Sequence, residues 1–152
     1  MTRARAAVDS GTNSTRLLVV DAAGRELVRT TRITRLGQGV DATGRLDDAA
    51  CERTLAVMAD HRRAWESHGV AVGDVRIAAT SAVRDAANRD AYLRAVRETT
   101  GVAPEVLTGD EEARLSFAGA VGAVEVAHPT LCLLYTSPSP RDLSTSRMPS
   151  SA

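Results

Sequence analysis

Three short stretches concentrate residue types that could do chemistry. The first is DSGTNS (9–14), set between the apolar runs ARAAV and TRLLVV. Gly11 can supply the positive φ of a tight turn, and the backbone N–H groups around it can form an anion-binding nest, with Thr12, Asn13 and Ser14 adding donors. Asp9, an acid ending the first run, offers a hard oxygen ligand for a hydrated Mg²⁺ beside a phosphate. An ordinary Asx-type hairpin turn explains the same residues, so spacing leaves both readings open. The second stretch, ATSAVRDAANRD (79–90), puts Thr80, Ser81 and Arg84 just after a β-type run. Ligands of α/β sheets bind at the carboxyl ends of strands, and Arg presents a planar fork to phosphate oxygens; a solvated surface arginine is the alternative. The third, TGDEEARLSFAGA (108–120), opens a helical pattern with Glu111 and Glu112. Acids there suit the helix dipole without any chemistry, while a carboxylate pointing into a cleft could serve as general base toward a water.

Other candidates carry less. His61, His68 and His128 are scattered, which favours surface or helix-end roles. Trp65, Tyr92 and Phe117 fall on helical stripes and are expected to fill core. The segment RLGQGVDATGRL (35–46) has three glycines but neither the spacing nor the lysine of a P-loop. It is expected to be a mobile loop whose arginines can meet an extended anion.

The elements that must position these stretches follow from hydrophobic period and turn chemistry. Residues 4–8, 15–20 and 25–34 predict three strands in a meander, the last with partial alternation of Leu27, Arg29, Thr31 and Ile33. Cys51, Leu55, Met58 and Trp65 recur near helical spacing between the capping Asp47 or Asp48 and the stop Gly69. VRIAAT (75–80) predicts a buried strand, and Asn88 is expected to cap a helix ending at Gly101. A short strand near 104–107 precedes the acidic helix. The order β-β-β-α-β-α-β-α implies an α/β fold with a mixed sheet covered by helices.

Composition narrows the function classes. The 152 residues carry 19 Arg, no Lys and 19 acids, so zero net charge argues against a general nucleic-acid binder. The balance is uneven: residues 1–45 sum to +4 and residues 64–131 to −4. No apolar run approaches the roughly 18 residues that would cross a bilayer, and no secretory h-region follows the amino terminus, so a cytoplasmic location is expected. Cys51 and Cys132 suggest neither a disulfide framework nor a zinc site.

Taken in order, DSGTNSTRLLV, RLGQGVDATGRL, ATSAVRDAANRD and GDEEARLSFAGA resemble the amino-terminal part of the exopolyphosphatase / guanosine pentaphosphate phosphohydrolase (Ppx/GppA) family, over about residues 4–131. The resemblance implies a domain of the actin/Hsp70/sugar-kinase (ribonuclease H-like) class. It implies Mg²⁺-assisted hydrolysis of a terminal phosphoanhydride of inorganic polyphosphate or guanosine pentaphosphate, and a parent protein that is a homodimer. By motif position, Asp9 would lie near the metal, with Gly11, Thr12, Asn13, Ser14 and Arg84 holding phosphate oxygens. Glu112 would be the catalytic carboxylate, with Glu111 as the alternative.

The resemblance stops where the family's second Gly-rich phosphate loop should follow HPTL. In its place, 132–152 hold six of eleven serines and three of five prolines, resembling translated sequencing adapter. Residues 1–131 are therefore expected to be the native part of the first domain and 132–152 a foreign or disordered tail, the fragment by itself being inactive and folding poorly. Two rival readings are a sugar or acetate kinase of the same class and a non-enzymatic nucleotide-sensing module; the Asn13-Ser14 pair and GDEEAR favour the hydrolase.

Overall fold

The computed structural model describes residues 3–122. In chain order the elements are β1 (Arg5–Ser10), β2 (Ser14–Val20), β3 (Glu26–Ile33), α1 (Val40–Thr43), α2 (Asp48–Ser67), a 3₁₀ turn at Val72–Asp74, β4 (Val75–Ala79), α3 (Ser81–Arg84), α4 (Arg89–Thr100), β5 (Glu105–Val106) and α5 (Gly109–Gly122). The expected order holds, with α1 and α3 added as single turns. The chain divides into two units, Met1–Gly109 and Asp110 onward. The 131/132 boundary lies outside the described residues.

The first unit is built on a five-stranded mixed sheet of order β3-β2-β1-β4-β5. The β1-β2-β3 meander is antiparallel, whereas β4 runs parallel to β1 and β5 parallel to β4. The carboxyl ends of β1, β4 and β5 therefore share one sheet edge, where ligand-binding turns of α/β sheets cluster.

Alternation decides which face is covered. Ala6, Val8 and Ser10 of β1, Thr15, Leu17 and Val19 of β2, and Val75, Ile77 and Ala79 of β4 are buried, while the residues between them are half-buried or exposed. Helix α2 packs on β2 and against α4. Its buried stripe, Ala50, Thr54, Met58, His61 and Trp65, steps by three and four residues, the period that keeps side chains on one face. The Asp47 carboxylate caps α2 by accepting from Ala50 N at 3.0 Å.

Four expectations need correction. Residues 35–46 contain the helical turn α1, and Leu36, Val40 and Leu46 drop into the core and anchor the segment. His61 is 3% exposed, because α2 carries it inward one turn before Trp65. Phe117 is 37% exposed rather than buried. In β3, Leu27 and Ile33 lie on the outward face at 43% and 70% exposure, and Val28 and Thr30 are half-buried instead.

Candidate functional site

The turn 11–14 joins the ends of two paired strands, with Ser10 opposite Thr15. Gly11 N donates to Ser14 O at 3.0 Å and closes it. Gly11 does not adopt positive φ; glycine is favoured there because a Cβ would stand a tight 3.0 Å from Ser14 O. Close approach of backbone, not left-handed geometry, selects the residue.

Two further segments fold onto this turn. Asn13 O accepts from both Thr34 N (3.1 Å) and Arg35 N (3.0 Å), and Thr12 O accepts from Gly37 N at 2.8 Å. Arg35 sits at φ 51, a conformation uncommon for a side chain with a Cβ, held by the shared bond to Asn13. A Cβ on Gly37 would overlap Thr12 Cγ2 and stand 3.2 Å from Ala82 Cβ, so the loop after β3 passes between the turn and α3. From the third segment, Ser81 Oγ lies 2.9 Å from Thr12 Oγ1, and Thr80 N donates to Ser10 O at 3.3 Å.

The structure thus brings together Asp9, Gly11, Thr12, Asn13 and Ser14 with the Thr80–Arg84 turn at the carboxyl ends of β1 and β4. Thr12 and Asn13 are exposed there, and Gly11 and Ser14 half-buried. Arg84, half-buried, donates from Nη1 to Leu107 O at 2.8 Å and lies 3.5 Å from Asp85 through Nε. Its guanidinium is anchored to the residue following β5, which pre-orders a long side chain.

Asp9 faces the open side of the sheet. Burial pushes its carboxyl up, opposed by the positive charge and hydrogen bond of Arg16, its cross-strand partner at 3.3 Å. No group of three or more His, Cys, Asp or Glu side chains gathers to hold a metal among the described residues. A single half-buried carboxylate fits a Mg²⁺ that keeps several waters and takes further ligands from substrate phosphates.

Glu111 and Glu112 occupy the first turn of α5 together with Asp110, Glu111 exposed and Glu112 half-buried. They belong to the second unit.

Several residues that shape the site were not singled out by spacing. Gly37 is one, hidden in a loop with three glycines. Tyr92 was expected only as core, yet its buried hydroxyl meets Ser10 Oγ at 2.9 Å beneath the turn, and burial raises its pKa strongly. Asn88 makes no side-chain cap on α4. It pairs instead with the backbone of Leu46, accepting from Leu46 N at 2.8 Å and donating to Leu46 O at 3.0 Å.

Residues 6–133 match the model of the Ppx/GppA phosphatase family. The chain belongs to this family. It is 45% identical over 129 residues to exopolyphosphatase 2 of Mycobacterium tuberculosis, covering 77% of this chain and 40% of the relative. A crystal structure described as an exopolyphosphatase-like protein superposes with TM-score 0.75 at 42% identity, over 82% of this chain and 38% of that one. The Ppx/GppA protein of Aquifex aeolicus gives TM-score 0.71 at 28% identity, over 82% and 41%. The chain therefore spans about two fifths of the length of the Ppx/GppA relatives it matches, and the match is to their amino-terminal part. The mixed α/β sheet expected for the class is the one observed.

Proposed function

We propose that this chain is the first phosphate-binding lobe of a phosphoanhydride hydrolase that releases terminal phosphate from inorganic polyphosphate. The carrying observation is the closure of three separated segments, 11–14, 34–37 and 80–84, on the sheet edge where β1 and β4 end. Such an edge supplies the hydroxyls of Thr12 and Ser81 and one oriented guanidinium, donors that suit the oxygens of a phosphate chain. The 45% identity to an exopolyphosphatase supports polyphosphate as the substrate.

In this reading Thr12, Asn13 and Ser14 hold oxygens of the terminal phosphates on a turn that Gly11 shapes by keeping its N–H on Ser14 O, and Arg84 neutralises charge there. Asp9 would hold Mg²⁺ through its carboxylate. Bound there, the cation supplies charge neutralisation on the phosphate oxygens. Glu112, with Glu111 as the alternative, orients and deprotonates the attacking water. Phosphoryl transfer leaves a protein mainly positioning and charge stabilisation to provide, which suits a site made of turns.

Binding is the direct test on this chain. Titration calorimetry with tripolyphosphate in MgCl₂ is expected to show saturable binding that weakens on Arg84→Ala and loses its Mg²⁺ dependence on Asp9→Asn. Binding unaffected by either substitution would place the ligand elsewhere and refute the assignment. Turnover belongs to a chain of the relatives' full length, where phosphate release is expected to collapse on Glu112→Gln with binding retained.

A further inference from the structure

The loop between β3 and α2 meets the site twice. At its near end Gly37 N donates to Thr12 O, beside the Thr12–Ser81 hydroxyl pair. At its far end Gly44 O accepts from Ala87 N at 2.8 Å, and both backbone groups of Leu46 pair with the Asn88 side chain. The turn 11–14, the loop 34–46 and the segment 80–88 thus close into a ring of hydrogen bonds. Between the two contacts the loop contains a single helical turn and two glycines in the left-handed region, Gly39 and Gly44. Such a segment has little local preference of its own and takes its shape from its anchors.

Asn88 stands at the N-cap position of α4, where Asn readily accepts from its own helix's N–H groups. Here the helix goes without that side-chain bond, and the amide is committed to a residue 42 positions away. Oxygen and NH₂ of one amide satisfy the N–H and C=O of one residue, as a neighbouring strand would. Three residues separate Asn88 from Arg84, and the span is stiffened by Arg89 N to Ala86 O (3.2 Å) and Arg89 Nη1 to Arg84 O (3.3 Å).

We propose that Asn88 is a positioning residue, clasping Leu46 so that the loop 34–46 and the Arg84 turn keep one register around the 11–14 turn. It touches no phosphate itself and acts through Gly37 and Arg84. The proposal rests on the phosphate-binding reading above for its consequence, but not for its geometry.

The test compares the 152-residue chain with Asn88→Ala and Asn88→Asp by amide hydrogen exchange and by tripolyphosphate titration in MgCl₂. Asn88→Asp keeps an acceptor for Leu46 N–H and loses the donor to Leu46 O. Exchange at Leu46, Gly37 and Arg84 is expected to quicken in Asn88→Ala, less so in Asn88→Asp, while Leu17 in β2 stays protected. Tripolyphosphate affinity is expected to fall about tenfold in the Ala variant, with partial rescue in the Asp variant. Affinity within about twofold of wild type while Leu46 is released would overturn the positioning role. If the wild-type chain does not bind tripolyphosphate, the phosphate reading fails and exchange alone judges the clasp: unchanged rates at Gly37 and Arg84 reject it. Should the Ala variant not fold, the Asp variant carries the same comparison.

Discussion

Gly37 and Thr12 offer a sharp test of how the site is packed. A methyl group added at Gly37 overlaps Thr12 Cγ2 and stands 3.4 Å from Thr12 Cβ and 3.2 Å from Ala82 Cβ. Gly37 is not in the left-handed region, so alanine meets no backbone penalty and only the neighbours resist it. Overpacking of this kind costs about 1–3 kcal/mol, offset by about 0.4–1 kcal/mol from the smaller unfolded-state entropy of alanine. Gly37→Ala is therefore expected to lose about 0.5–2 kcal/mol. The Thr12 side chain has one way to yield, rotation about χ1, and that carries Oγ1 away from Ser81, now 2.9 Å distant. Thr12→Ser removes the overlapping methyl and keeps the hydroxyl. In that background Gly37→Ala is expected to be nearly neutral, a coupling of about 0.5–2 kcal/mol between two residues 25 apart in sequence. Urea denaturation of the four proteins measures it, since 1 kcal/mol moves the midpoint by roughly 0.3–1 M. Additivity within about 0.5 kcal/mol would refute the packing of the loop on the turn.

Other outcomes follow from the same geometry. Tyr92→Phe leaves the Ser10 hydroxyl buried without its partner and is expected to lose about 1–3 kcal/mol, most of it recovered by adding Ser10→Ala; urea midpoints decide. His61 is held below its ordinary pKa, first by burial and also by Arg32, against the raising influence of Thr15 O and Asp60. Its folded state binds protons less readily than the unfolded chain, so its contribution is present above about pH 6.5 and is lost as the pH falls below that value. A His61→Gln variant should flatten that limb of a stability–pH curve. Arg84→Ala should free the Leu107 carbonyl, read as faster exchange at Leu107 N, which now donates to Ala79 O at 2.9 Å.

The framework was legible because local signals agreed with the global fold. The three N-terminal strands, the Asp47 cap, the 3–4 stripe of α2 and the glycine ending α4 each follow from period or capping chemistry. Failures arose where tertiary contacts override local preference. Residues 35–46 looked structureless because glycine punctuates them, yet Leu36, Val40 and Leu46 anchor them in the core. Alternation in β3 was visible but its phase was not, since Leu27 and Ile33 belong to the outward face of an edge strand.

The candidate site divides in the same way. Its donors lie in contiguous turns, so Thr12, Asn13, Ser14 and Arg84 could be picked out by residue type. Their mutual placement depends on pairs such as Thr12–Ser81, Ser10–Tyr92 and Leu46–Asn88, separated by 69, 82 and 42 residues, which no local window contains. Asn88 shows the difficulty in one residue: its type and position announce a cap, and the fold uses the same amide to fasten another loop.

Asp9 carries the last consequence. Its carboxyl is raised by burial even with Arg16 3.3 Å away, so the ionised form is less favourable in the folded chain than in the unfolded one. By linkage that penalty is absent below the unfolded pKa and grows as the pH rises through the folded one, opposite to the usual salt-bridged acid. A cation bound at Asp9 would balance the charge that burial disfavours. Asp9→Asn is accordingly expected to raise the urea midpoint at pH 7 and to remove Mg²⁺-dependent tripolyphosphate binding. A variant that loses stability, or that binds tripolyphosphate with its Mg²⁺ dependence intact, would show that Asp9 serves the fold through Arg16 and not a metal.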